Sequence, residues 1–215
     1  MSPVYKFSTA GSFATSQTLY KSALAGNAVF VPTSYESIAT TTVGSGGTST
    51  VTFSSIPATF THLQVRVLAQ TNRGTYSLDE MKVTFNSDTG SNYSWHNIQT
   101  DPRQAYPNAI TVGSGATQTS IQQLALSSSV ASNSFAGGVL DILDYASANK
   151  YKTVRYLGGA GELSYTSSYT TSVGFFSGLW MNSATAISSI TFSVTHGSMF
   201  NQYSSFALYG IKGGN

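Results

Sequence analysis

Charged side chains are scarce: Asp, Glu, Lys and Arg together make up 8% of the 215 residues, where an ordinary soluble domain carries about 25%. Eight acids, three histidines and no cysteine leave few materials for an active site. The absence of cysteine removes disulfides and thiolate metal sites, and is neutral about compartment. No run of about 18 apolar residues occurs, so no helical membrane span is expected. The opening Met1-Ser2-Pro3-Val4-Tyr5-Lys6-Phe7 has no basic region followed by an apolar core, hence no signal peptide is expected. A formal net charge of +2 is too small to draw nucleic acid or anionic lipid, so neither nucleic acid nor membrane is expected as a partner. The one local cluster of cations is Lys150, Lys152 and Arg155. On a strand, Lys150 and Lys152 share one face and Arg155 takes the other, which reads as solvated edge charge.

Ser, Thr, Gly, Asn and aromatic residues fill the gap left by charge. Ser, Thr and Asn compete for backbone hydrogen bonds and β-branched Thr loses rotamer freedom in a helix, while pleated, half-buried strands suit this mixture. A hydrophobic share of 40% and an aromatic share of 13% are enough for a real core. From Glu36 onward, short strand-like runs alternate with turn signals, the pattern of a β-sandwich or barrel. Ile38 to Val43, then Gly44-Ser45-Gly46-Gly47, then Thr50 to Phe53 reads as a hairpin. Leu63, Val65, Val67 and Ala69 alternate with polar neighbours, as do Met81, Val83 and Phe85. Tyr93 to Ile98 and Ile121 to Leu126 are weaker candidates, with a long loop or excursion over Asp101 to Thr119 between them. Phe135 to Tyr145 reads as a central strand and pairs hairpin-like with Lys152 to Leu157. Val173 to Trp180, Ile187 to Val194 and Phe206 to Ile211 complete the set. The expected fold is all-β, an antiparallel two-sheet β-sandwich of jelly-roll type over residues 36 to 215, with a closed barrel as the alternative.

Residues 1 to 35 differ. Tyr5, Phe7, Phe13, Tyr20 and Phe30 are spread singly among small polar residues, with a short helix conceivable over Ser16 to Leu24. A segment of this kind buries little surface by itself. It reads as an extended N-terminal docking arm whose aromatics anchor it on a partner; the alternative is packing on its own domain.

Chemistry is sought in vain among the rest. Asp79 and Glu80 are adjacent and point to opposite faces of a strand, as do Asp141 and Asp144, whereas a glycosidase needs two carboxylates facing one cleft. Asp141 reads as a polar edge residue or a buried acid paired with Arg155 or Lys152. His62, His96 and His196 lack any metal-ligand spacing, and neither Gly44-Ser45-Gly46-Gly47 nor Gly158-Gly159-Ala160-Gly161 is followed by the Lys-Ser/Thr of a phosphate loop. No catalytic residue, metal site or cofactor is expected. Trp95 and His96, with Tyr165 and Tyr169 in a Ser/Thr/Gly-rich stretch, have the composition of a recognition surface.

Several stretches together carry a resemblance. Ala25-Gly26-Asn27-Ala28 leads to Tyr35-Glu36-Ser37-Ile38-Ala39-Thr40, Val51-Thr52-Phe53-Ser54-Ser55-Ile56-Pro57 and Thr61-His62-Leu63-Gln64-Val65-Arg66. Phe85-Asn86-Ser87-Asp88-Thr89-Gly90-Ser91-Asn92-Tyr93-Ser94, Asp144-Tyr145-Ala146-Ser147-Ala148-Asn149-Lys150-Tyr151-Lys152-Thr153 and Ser205-Phe206-Ala207-Leu208-Tyr209-Gly210-Ile211 follow. Over residues 25 to 215 the chain resembles tailed-bacteriophage virion structural proteins of the head-decoration, minor-tail and tail-fibre group. The resemblance implies a non-enzymatic role on the particle exterior and transfers no catalytic residues. Implied partners are other virion proteins (the major capsid protein or tail proteins), further copies of the chain as a homotrimer, and a host surface glycan in the tail-fibre alternative.

Overall fold

Alternation of apolar with small polar side chains sends one set to each face of a pleated strand, and the structure is built from strands of this kind. It is a computed structural model that describes residues 6–9, 12–15, 34–74, 78–99, 108–110, 118–127, 133–160, 172–182 and 184–213. The chain divides into two compact units, Met1–Thr33 and Ser34–Asn215. In the first, β1 (Lys6–Thr9) and β2 (Ser12–Thr15) form an antiparallel hairpin with Phe7 opposite Ala14 and Ser8 opposite Phe13. Neither strand is signalled by the sequence pattern. Ser34 and Tyr35 of the expected arm belong to the second unit, with Tyr35 opening its first strand, while Tyr5, Tyr20, Phe30 and Ser16 to Leu24 lie outside the described residues.

The second unit is a β-sandwich; among the described residues it contains no helix. Its strands are β3 (Tyr35–Thr42), β4 (Thr50–Phe53), β5 (His62–Thr71), β6 (Leu78–Phe85), β7 (Tyr93–Gln99) and β8 (Asn108–Ile110). They continue with β9 (Ile121–Ser127), β10 (Ala136–Ile142), β11 (Lys152–Ala160), β12 (Ser172–Trp180), β13 (Ile190–Val194) and β14 (Ser205–Ile211). The larger sheet runs β3-β14-β5-β10-β11-β12-β7-β8 and the smaller β4-β13-β6-β9, every pairing within each sheet being antiparallel. A two-residue parallel contact, Gln70 with Leu126 and Thr71 with Ser127, joins the end of β5 to β9 and stitches the sheets together.

The inner faces of the two sheets supply one core. Phe206 of β14 meets Phe192 of β13 at 5.2 Å between ring centroids, and Phe85 of β6 meets Trp180 of β12 at 5.6 Å. Phe200 closes one end against Phe206 at 5.1 Å. Alternation on β12 is strict: Phe176, Gly178 and Trp180 face the core while Phe175 is exposed. The paired glycines Gly138 and Gly158 lie beneath the ring of Tyr156, which leaves no room for a Cβ at either position.

Three expectations are corrected. Residues 38–43 and 50–53 do not form a hairpin: β3 pairs with β14, β4 with β13, and the intervening loop carries the chain from one sheet to the other. The loop is held instead by Phe200, whose carbonyl accepts from Thr48 N at 3.1 Å. Gly47 sits there with φ +72°, and an added Cβ would lie 2.7 Å from that same carbonyl. Lys152 is not solvated edge charge but fully buried, because β11 is an interior strand and Lys152 shares its inward parity with Val154 and Tyr156. Its Nζ donates to the Asn182 carbonyl at 3.0 Å and stands 5.6 Å from the centre of the Trp180 ring. Asp141 pairs with neither Arg155 nor Lys152; its Oδ1 accepts from Gln64 Nε2 at 2.9 Å.

Candidate interaction face

Register places side chains from six strands of the larger sheet in straight rows on its outer face. One polar row runs Tyr209 (β14), Gln64 (β5), Asp141 (β10), Arg155 (β11), Ser177 (β12) and His96 (β7). The next row along the strands is apolar at its centre: Arg66, Val139, Leu157, Phe175 and Ile98. Beyond it stand Leu68, Gly137, Gly159 and Val173. Because opposite residues of antiparallel neighbours share a face, these rows are contiguous surface.

Seven large hydrophobic residues are exposed among those described, and five of them (Leu68, Ile98, Leu157, Val173 and Phe175) belong to the two apolar rows, each 44% to 59% exposed. Single exposed hydrophobics are ordinary, whereas a contiguous group on one sheet face marks an interaction site. Gly137 and Gly159 leave an open hollow of about 530 Å³ beside Val139, Leu157, Val173 and Arg66. Arg66 lies over two stacked tyrosines, 5.7 Å from the centre of Tyr35 and 5.4 Å from that of Tyr209. The Tyr35 hydroxyl donates to Gln64, which in turn donates to Asp141. This chain of contacts fixes one end of the face. Arg155 makes no ion pair among the described residues, although it stands opposite Asp141 in the ladder.

The described carboxylates are committed to local contacts. Asp79, fully buried, accepts from Thr71 Oγ1 at 2.8 Å and Gly197 N at 2.9 Å on one oxygen, and from Glu80 N at 2.7 Å and His196 N at 3.1 Å on the other. Glu80 lies on the opposite side of β6, 3.9 Å from His196; burial raises its pKa more than His196 lowers it. Asp88 receives Trp180 Nε1 at 2.8 Å, Asn92 Nδ2 and Gly90 N. Desolvation of that carboxyl is outweighed by these bonds, and its pKa is lowered. Asp144 bonds Lys150 at 2.7 Å, which lowers its pKa, and Glu36 pairs with Lys212. His62 Nδ1 accepts from Asp144 N at 3.0 Å. Among the described residues no three His, Asp or Glu side chains converge as a metal site would require.

The expected recognition residues separate. Trp95 is buried in the core, its Nε1 without a hydrogen-bond partner among the described residues, so its indole is not part of a surface. His96, next along β7, points outward and ends the polar row. Tyr165 and Tyr169 lie outside the described residues, while Phe7 and Phe13 fall on the β1–β2 hairpin of the other unit. Sequence alternation on β12 separates Phe175 from Phe176, Gly178 and Trp180, as the structure does; Leu157 and Arg66 were not singled out as surface, although the odd-even parity of β11 and β5 was the available signal. No protein-family model, no curated protein and no solved structure matches the chain.

Proposed function

We propose that this chain is a non-enzymatic structural protein on the exterior of a tailed-bacteriophage virion, a capsid decoration or cement protein that docks through residues 1 to 35. The observation that carries the reading is strand order. With β7–β8 and β11–β12 set aside as additions to the larger sheet, eight strands remain in two layers, β3-β14-β5-β10 and β4-β13-β6-β9. The chain passes between the layers at most connections, and we read this winding as a jelly roll, a fold common in capsid domains. It agrees with the virion resemblance of the strand and turn sequences. Engagement of the described carboxylates in structural bonds supports a role without catalysis.

Full-length protein is expected to co-sediment with phage heads lacking it, and a chain of residues 36–215 is expected to lose that binding while keeping its far-ultraviolet β spectrum. Full decoration by the shortened chain would overturn the docking role. Since the arm carries little charge, attachment is expected to change little with ionic strength. A second reading, a tail-fibre protein that recognises host surface polysaccharide, is favoured by exposed His96 and Phe175 on neighbouring strands of one face. Immunogold labelling over the tail tip rather than the head would select it.

A further inference from the structure

We infer that the outer face of the larger sheet is a two-fold interface between copies of this chain, stacked sheet on sheet. The inference is independent of where the protein sits on a particle. Three observations carry it: concentration of the exposed apolar side chains on this face, its size, and the way its rows match themselves on rotation.

Six strands at about 4.8 Å spacing and about seven residues at about 3.3 Å give roughly 650 Å² in projection. Each partner of a standard interface contributes roughly 800 Å² of accessible surface, so the face is of the right order to hold a stable dimer. A two-fold contact uses the same patch on both partners, so residue i meets j and j meets i. The rows satisfy that condition about an axis lying in the interface, parallel to the strands and between β10 and β11. Rotation about this axis places β10 of one copy over β11 of the other at the same row height. Asp141 then faces Arg155 of the second copy, and Arg155 faces its Asp141. Val139 meets Leu157 in the apolar row, and the hollow at Gly137 and Gly159 gives the second copy's Leu157 room to interdigitate. One strand further out, Arg66 of β5 comes over Phe175 of β12, a cation–π pairing.

Charge decides the occupant. Asp141 and Arg155 are of opposite sign, adjacent in the ladder and not paired with each other within the chain. An arrangement with both signs side by side at the axis is self-complementary, whereas a strongly acidic or basic partner would meet repulsion at one of the two. Stacked sheets cross at about −30°, so the match is closest beside the axis and loosens outward. The pairs nearest the axis therefore carry the specificity, and the apolar rows carry the area.

The test is a charge swap in trans on the full chain. Sedimentation equilibrium of the native protein is expected to give a dimer at micromolar concentration. Leu157→Asp, at an exposed position, is expected to give monomer. Asp141→Arg and Arg155→Asp are each expected to weaken the dimer by at least about tenfold, since each sets like charges against one another twice across the axis. An equimolar mixture of these two variants restores opposite charge at both contacts, and a heterodimer of near-native affinity is expected. That recovery uses the same two chains that fail alone, so misfolding cannot imitate it. A monomeric native protein, a trimer or dimer that survives Leu157→Asp, or a mixture that stays monomeric would each overturn the inference. A glycan or another protein as the true occupant would show itself as the first of these outcomes.

Discussion

Lys152 holds an ammonium-bearing side chain inside an interior strand, and burial lowers its pKa below the ordinary 10.5. The folded chain releases this proton at lower pH than the unfolded chain does. Between the two values the unfolded state binds more protons, so stability rises with pH across that interval. Tyrosine acts in the opposite sense: burial pushes Tyr93 up to about 12 and raises Tyr156 as well. Their folded forms keep protons that the unfolded chain has lost, so stability falls as pH climbs above the ordinary tyrosine value of 10.0. The urea midpoint is therefore expected to rise as pH approaches about 10 and to drop beyond it. Lys152→Met is expected to abolish the rise and keep the drop. A rise of the same size in the variant would assign it to another group.

At the scale of elements, Asp79 holds the turn before β14 against the strands β5 and β6. Its four accepted bonds join Thr71 of β5, Glu80 of β6 and the backbone at His196 and Gly197. Asp79→Ala removes the acceptor of the buried Thr71 hydroxyl and of three part-buried backbone N–H groups, and a buried donor left unpaired costs about 1–3 kcal/mol. A loss of roughly 3 kcal/mol or more is expected in chemical unfolding, and a loss under about 1 kcal/mol would mean that water replaces the carboxylate. Much at this scale was legible in the sequence. Strict alternation along Leu63 to Ala69 and Met81 to Phe85 gave both strands and their inward faces, because period two is a property of the strand alone. Partner choice was not legible: the Gly44–Gly47 turn has hairpin chemistry, yet β3 and β4 find partners more than 130 residues away. Lys152 was misread because its parity places it with Val154 and Tyr156, and parity outweighed residue type. Trp95 was misread for the same reason, one step from exposed His96.

At the scale of the whole sandwich, β13 and β14 follow every other described strand in chain order, yet neither lies at an edge. β13 sits between β4 and β6, and β14 between β3 and β5. During synthesis, β4 and β6 must wait with open flanks, as must β3 and β5, until β13 and β14 leave the ribosome. Non-local pairing of this kind folds slowly and exposes strand edges meanwhile. A chain shortened to end before Ile190 would lack a central strand in each layer at once, and is expected to precipitate on expression rather than form a smaller sandwich. A soluble, cooperatively melting product from such a chain would show that the earlier strands can close without them. For the cell that makes it, loss of β13 and β14 would be nearly as damaging as loss of everything before them, since each layer keeps an open gap until both strands are in place.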